Sequence, residues 1–525
     1  MTTGTAALLP PGVSEASFSR ARQRFAAAVG PENVQVGDAL GSYRDPYSFS
    51  PAGTFEPSAA VTPASVQEVQ AVVAIAHEFG IPLWTVSIGR NDGYGGAAPR
   101  VAGSVVLALH RMNRVLEVDD DCGYAVVEPG VRFSDLYDHL RAIGSSLWAS
   151  VPDLSWGSVM GNTLERGFGY TPHGDHSAVQ CGMEVVLADG RVVRTGMGAM
   201  TGNNAWALYK GGFGPSFDGL FHQSNLGVVT KIGVWLMPQP EQVAVFMAKA
   251  PEERQLGQVV DTLRPLLLDG TIQSNCVVGN ALAIASMISE RQTWYDGPGP
   301  MPDPAVEALT RGLDIGWWNA RCAVYGTEDL VAARTKVIGK AFDRVPGLEL
   351  VTRTYPGDAT DADVHPADRA QMGVPSTDLI RMAGWRGGEP AHTDFSLVCP
   401  PRGRDVVAQM RLVRARVEEY GFDYAGGFTM FPHHAIALAL ISFDRSDRQQ
   451  VDGVAELLPH LVDDAAARGY APYRSHLAEM DHIAAQYDVN DHALMRLTET
   501  IKDALDPAGI LSPGKQGIWP AHLRR

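Results

Sequence analysis

The chain has 525 residues, too many for one ordinary domain, so two or three domains with sizeable cores are expected. At 45% hydrophobic and 19% charged residues it has the composition of a soluble globular protein. A net charge of −16 argues against nucleic acid, whose phosphates need basic patches, and suits a neutral or small substrate better.

In chain order, "SEASFSRARQRFAAAVG" (14–30) predicts an amphipathic helix. "AAV" (59–61) is a short strand. Ser65 and Glu68 then form a capping box ahead of a helix with Val66, Val69, Val72 and Val73, which runs to Gly80. "IPLWTV" (81–86) completes a β-α-β unit. Strands follow at 104–109, 114–118 and 124–131, a helix at 134–144, and a hairpin at 183–196 with Asp189-Gly190 as its turn. One more strand region spans 225–238, and a domain boundary is expected near Pro238–Pro240. From about 243 to 468 the pattern is α+β, with helices at 254–267, 303–314, 328–343, 403–420 and 450–468 between short strands. Residues 492–520 form a helix and an irregular tail, broken by Asp506-Pro507 and Ser512-Pro513-Gly514.

The cysteines (Cys122, Cys181, Cys276, Cys322 and Cys399) are odd in number, widely spaced and without CxxC pairs, which predicts reduced structural thiols in a cytoplasmic protein. "MTTGTAALLPPG" lacks the basic start and long apolar run of a signal peptide. Two uncharged stretches, 270–289 and 424–443, contain Gly, Asn, Ser, Pro or paired His and are expected in the core rather than in a membrane.

The loop "TVSIGRNDGYGGAAPR" (85–100) comes after a strand and holds four glycines. Gly93 to Ala98 spells G-x-G-x-x-A, but Ala-Ala-Pro-Arg and another strand come next instead of the helix that a dinucleotide fingerprint must open. The loop is either an ordinary glycine turn or a set of backbone N–H groups that closes on an anion, with Arg90 beside it. His173, His176 and the pair His433-His434 carry no HExxH motif, so no metal is expected. Ser158 is not in G-x-S-x-G, which excludes a hydrolase elbow.

The segments "NDGYGGAAPR", "PDLSWGSVMGNTLERGFGYTPHGDH", "SNLGVVTK" and "DPAGILSPGKQGIWP" resemble the vanillyl-alcohol oxidase and 4-cresol methylhydroxylase flavoproteins. The resemblance runs nearly end to end, densest before residue 240 and weaker in the middle of the second domain. It implies an α+β fold: a two-subdomain FAD-binding domain (1–242), a substrate cap domain (243–468) and a C-terminal segment (469–525) that returns to the first domain. It places FAD against Ser87, Gly89, Arg90, Asn91, Ser158, Gly161, Asn162, Gly169, Val228 and Lys515, with the flavin tethered to His392 through its 8α carbon. Tyr94, Tyr473 and Arg474 match the family's phenolate clamp. A guanidinium and two hydroxyls around a phenol oxygen favour the anion, which eases loss of a benzylic hydride. Asp153 matches the active-site carboxylate, a base for the step after hydride loss.

Around His392 the pattern departs from the family, because Asp394 stands where a glycine or aromatic is usual. Phe168 replaces what is expected to be a smaller residue. Both are expected in the substrate pocket. The implied activity is oxidation of 4-substituted phenols through a quinone methide, with O2 reduced to H2O2. The alternative is a dehydrogenase that passes electrons to a cytochrome, although that group attaches its flavin through tyrosine. A flavin-binding protein without turnover would have no need of the clamp. The resemblance also implies a homodimer.

Overall fold

The computed structural model describes residues 8–524. Three sheets organise them. The first is small: β1 (Val34–Gln35), β2 (Ala59–Val61), β3 (Leu83–Val86) and β4 (Val105–Ala108), in the order β1-β2-β4-β3. Helices α1 (Glu15–Val29) and α2 (Val66–Phe79) cover it through Phe18, Phe25, Val69, Val72 and Val73. Ser14 caps α1 and Ser65 caps α2, each hydroxyl accepting from a backbone N–H three residues on. Glu68 completes only half of the expected box, since it accepts from the Ala64 N–H at 2.8 Å. The β-α-β unit is present, but β2 and β3 are not neighbours. Each pairs in parallel with β4, which enters between them.

The second sheet is antiparallel. Its strands are β5 (Val115–Asp119), β6 (Tyr124–Val127), β8 (Gln180–Val186), β9 (Val192–Arg194) and β10 (Val228–Trp235), in the order β5-β6-β10-β8-β9. Helix α3 (Phe133–Ala142) packs Phe133, Leu136 and Leu140 on it. A short pair, β7 (Leu147–Trp148) with β11 (Met237–Pro238), closes this half, and helix α4 (Val159–Leu164) lies in the loop region between β7 and β8.

The third sheet has eight strands: β12 (Gln242–Ala250), β13 (Cys276–Asn280), β14 (Trp318–Gly326), β15 (Glu349–Pro356), β16 (Pro390–Cys399), β17 (Ala425–Met430), β18 (Ala435–Asp444) and β19 (Ala471–Arg474). Their order is β15-β12-β14-β13-β17-β18-β16-β19. Side chains alternate across a strand, so the sheet has two different faces. Phe246, Ala248, Cys276, Val278, Phe428, Phe395 and Leu397 face a core built with helices α5 (Leu256–Leu268), α8 (Glu328–Phe342), α9 (Gly403–Glu419) and α10 (Arg448–Ala466). Met247, Val277, Arg321, Thr429, His392 and Asp394 face the other way, toward a cavity. Helices α6 (Ala281–Ile288) and α7 (Asp303–Leu313) lie at one side of this sheet. β19 lies beyond residue 468, so Tyr473 and Arg474 stand at the edge of the eight-stranded sheet.

After α11 (Met480–Ala484) and α12 (Val489–Leu505) the tail returns to the first half. The Leu83 N–H donates to Ile510 O, and the Ser512 N–H donates to Leu83 O, both at 2.7 Å. Lys502 is fully buried. Its ammonium donates to Asn225 O, Leu511 O and the Asp506 carboxylate, which replaces its lost hydration.

Candidate active site

A cavity of about 850 Å3 runs between the two halves of the first region and under the eight-stranded sheet. Two loops form its near wall. In the loop 87–96, Gly89 and Gly93 have φ of +73° and +81°, a conformation that favours glycine. A Cβ on Gly93 would lie 2.8 Å from His392 Nε2 and 3.0 Å from Asp394 Oδ2, so the loop's backbone touches the cap sheet. No helix comes after this loop; the next element is β4. In the second loop, Ser158 caps α4, accepting from the Gly161 N–H and donating to Pro129 O. A Cβ on Gly161 would stand 2.4 Å from Ser87 Oγ, so these two loops are in contact as well.

Ser87, Gly89, Arg90, Asn91 and Tyr94 line the cavity from the first loop, and Asp153, Ser158, Gly161, Asn162 and Phe168 from the second. His392, Asp394, Tyr473 and Arg474 line it from the cap sheet, and Lys515 from the tail. Arg90 spreads over the Trp156 ring at 5.4 Å. Gly169 and Val228 are not among the residues that line the cavity. A Cβ on Gly169 would meet Ser150 Oγ at 2.3 Å and His176 Nε2 at 2.8 Å, so this glycine serves a tight turn. Val228 points into the core of the first sheet, and its neighbours Gly227 and Val229 face the cavity instead.

Arg474, Tyr94 and Tyr473 come together at one end. The Arg474 guanidinium carbon lies 4.3 Å from the Tyr94 ring centre, and Nη2 donates to Asn91 Oδ1. The Tyr94 hydroxyl is 3.0 Å from Ser396 Oγ. Two adjacent residues of a strand normally face opposite ways. Here Arg474 pairs with Ser396 while Pro472 pairs with Leu397, so Tyr473 is the extra residue of a β-bulge, and both side chains reach the cavity. Burial and the nearby Asp394 carboxylate raise the Tyr94 pKa well above its ordinary value, with Arg474 opposing. Burial raises Tyr473 too, again against Arg474. Burial pushes the Glu165 carboxyl up, but Lys515, 2.6 Å away, and Arg474 bring it below its ordinary value.

Asp153 is held by two groups that the sequence did not single out. The Tyr170 hydroxyl donates to Oδ2, and Arg321 Nη2 lies 3.4 Å from Oδ1. Arg321 also covers the Tyr170 ring at 5.4 Å. A charge inside the otherwise apolar strand "RCAVYG" was the available signal for Arg321. Nothing comparable marked Tyr170 or Glu165. Phe168 packs edge-on against Tyr170 and Phe431. The five cysteines are free, and Cys122 alone is exposed. Among the described residues no group of three or more His, Cys, Asp or Glu gathers as a metal site. Nor is any helix there long and apolar enough to cross a membrane.

Residues 57–196 match the family described as FAD binding domain, and residues 358–516 match FAD linked oxidases, C-terminal domain. The cavity accepts such a group: glycines line it where a Cβ would intrude, and His392 Nδ1 is buried in it with no hydrogen-bond partner. The fold and cavity therefore define an FAD-dependent oxidoreductase. The chain is 37% identical to the 4-cresol dehydrogenase [hydroxylating] flavoprotein subunit of Pseudomonas putida, over 98% of both chains. It is 31% identical to 1'-carboxy-chondrochloren decarboxylase of Chondromyces crocatus, over 96% of this chain and 98% of that one. Its structure is similar to 4-ethylphenol oxidase from Gulosibacter chungangensis in its isoeugenol complex (TM-score 0.93, 38% identity, 98% of this chain and 100% of that one). It is equally similar to p-cresol methylhydroxylase with substrate bound (TM-score 0.93, 36% identity, 98% and 99%). The chain belongs to the vanillyl-alcohol oxidase/4-cresol methylhydroxylase family of flavoproteins.

Proposed function

We propose that the protein oxidises para-substituted phenols, with O2 as electron acceptor. The observation that carries this is the cluster of Arg474, Tyr94 and Tyr473 on the cavity wall. A cation enclosed beside two tyrosines is a costly filling, since apolar residues would serve stability at least as well. They suit a phenol oxygen, which they bind as phenolate. The negative charge then flows toward the para carbon and weakens the benzylic C–H bond.

In this proposal FAD would lie along Ser87, Gly89, Arg90, Asn91, Ser158, Gly161, Asn162 and Lys515, tethered through His392, and when bound it would supply an acceptor for the hydride, whose two electrons and proton would pass on, with one further proton from solvent, to O2 as H2O2. Asp153, fixed by Tyr170 and Arg321, stands as the base for water addition to the quinone methide or for removal of the proton of a benzylic alcohol. Phe168 and Asp394 bound the ring pocket. Vanillyl-type alcohols and 4-allyl or 4-alkyl phenols are the expected substrates. The domain roles follow the resemblance: residues 1–242 for FAD, 243–468 for the cap, and 469–525 returning once β19 has completed the eight-stranded sheet. A homodimer is proposed on the same ground, and a cytoplasmic location on the cysteine pattern.

A second proposal keeps the substrate and changes the acceptor to a cytochrome. It is favoured by the similarity to a dehydrogenase described as a flavoprotein subunit. His392 weighs toward the oxidase. Mixing the holoenzyme with vanillyl alcohol without oxygen and then admitting air separates the two. Bleaching of the flavin band, reversed rapidly by air with peroxide formed, is the outcome expected of the oxidase. Bleaching that persists in air would point to the cytochrome-linked enzyme. No bleaching across a panel of vanillyl, allyl, alkyl and dimethoxy phenols would remove the phenol assignment.

A further inference from the structure

Neither the phenolate clamp nor the base accounts for Asp394. It lies on the cavity face of β16, two residues from His392 on one side and two from Ser396 on the other. Its Oδ2 is 3.8 Å from His392 Nε2, and its Oδ1 is buried with no hydrogen-bond partner. A carboxylate oxygen deprived of both water and a donor is costly, so its retention points to a donor supplied by the molecule that enters the cavity. The carboxylate has little freedom to turn away, because the Gly93 backbone closes on it from the opposite side.

The position is specific. Ser396, the next residue on this face, touches the Tyr94 hydroxyl, which belongs to the phenolate clamp. Asp394 lies against Gly93, the chain neighbour of Tyr94, and its carboxyl interacts with both the Tyr94 hydroxyl and the Arg474 guanidinium, so it borders the clamp. The ortho carbon is the ring position next to the one that bears the phenol oxygen, so a ring whose oxygen sits between Tyr94 and Arg474 brings one ortho substituent toward Asp394. A plain phenolate in that place would face the carboxylate with no proton between two anions. A methoxyl oxygen would add only lone pairs. A hydroxyl would supply the missing donor, with Arg474 as the counter-charge beyond it.

We infer that Asp394 selects phenols bearing a second hydroxyl ortho to the first, that is 4-substituted catechols, by accepting a hydrogen bond from that hydroxyl. This rests on the phenol-binding role proposed above and narrows its substrate class.

Phenol, catechol and guaiacol have no benzylic carbon bearing hydrogen at the para position, so each reports binding without turnover. They are titrated anaerobically into the holoenzyme, and the shift of the flavin spectrum gives each Kd. Catechol is expected to bind about tenfold more tightly than phenol, the effect of one hydrogen bond to a charged acceptor, and guaiacol no more tightly than phenol. The catechol-to-phenol ratio should fall to near one in Asp394→Ala and be partly kept in Asp394→Asn, whose amide oxygen still accepts. Equal binding of all three ligands would overturn the inference alone. So would guaiacol outbinding catechol, the pattern of a protonated carboxyl, or a ratio that survives Asp394→Ala. Failure of phenol itself to bind would overturn the phenol-binding role and this inference with it.

Discussion

Arg474→Ala tests the phenolate clamp most directly. The guanidinium lies against the Tyr94 ring, 4.3 Å from its centre, and a phenol oxygen bound by the clamp would meet that charge at ion-pair distance, about 4 Å. At an effective dielectric constant of about 20, unit charges about 4 Å apart attract by about 4 kcal/mol. Water entering the space left by the side chain would return part of that. The net loss should be about 2–4 kcal/mol in the barrier, or about 30-fold to 1000-fold in the rate of flavin reduction. The assay is anaerobic stopped-flow mixing with vanillyl alcohol, with flavin content and melting temperature measured on the same samples. Arg474→Lys keeps the charge but loses the planar fork, and should fall between wild type and Arg474→Ala. The pH at which the rate rises should also move upward in Arg474→Ala, because the bound phenol then ionises later. A reduction rate within about threefold of wild type in a folded, flavin-loaded variant would refute the clamp.

Three further outcomes are expected. His392→Ala should leave FAD extractable by denaturant and remove flavin fluorescence from the protein band on a denaturing gel; a band that stays fluorescent would place the tether elsewhere. Gly93→Ala forces a Cβ to within 2.8 Å of His392 Nε2 at a φ of +81° and should cost about 1–3 kcal/mol of stability, read as a lower midpoint in urea with reduced FAD content. Burial pushes the His176 pKa from 6.5 down to about 4, so the folded state favours the neutral ring. The unfolded chain then binds the extra proton first. Stability from this group is complete above about pH 6.5 and falls by up to about 3 kcal/mol as the pH drops toward 4. His176→Gln should flatten the acid limb of a melting-temperature profile; parallel profiles would exclude the assignment.

Helix and strand positions were legible because local chemistry carried them. Ser65 announces a helix start, and the spacing of Val66, Val69, Val72 and Val73 marks that helix's buried face. The loop at 85–100 could be separated from a Rossmann turn because it leads into a strand, Ser104–Leu109, and opens no helix. The sequence concealed the relations between distant segments. The insertion of β4 between β2 and β3 depends on pairing energies distributed over the whole sheet. The bulge at Tyr473 exists only relative to the register of β16. Tyr170 and Arg321 converge on Asp153 from segments far apart in the chain. The place of Val228 has the same origin, since a one-residue shift along a strand exchanges cavity for core.

The tail carries a consequence for biogenesis. Residues 510–518 hydrogen-bond to Leu83 and Asn225, and Lys515 pairs with Glu165 at the cavity wall. The pocket is thus assembled from segments that are made at different times. A ribosome still translating the last turn of α12 holds a nascent chain whose pocket lacks one side. A product cut before Ile510 would keep the two glycine-rich loops but lose the wall that Lys515 forms.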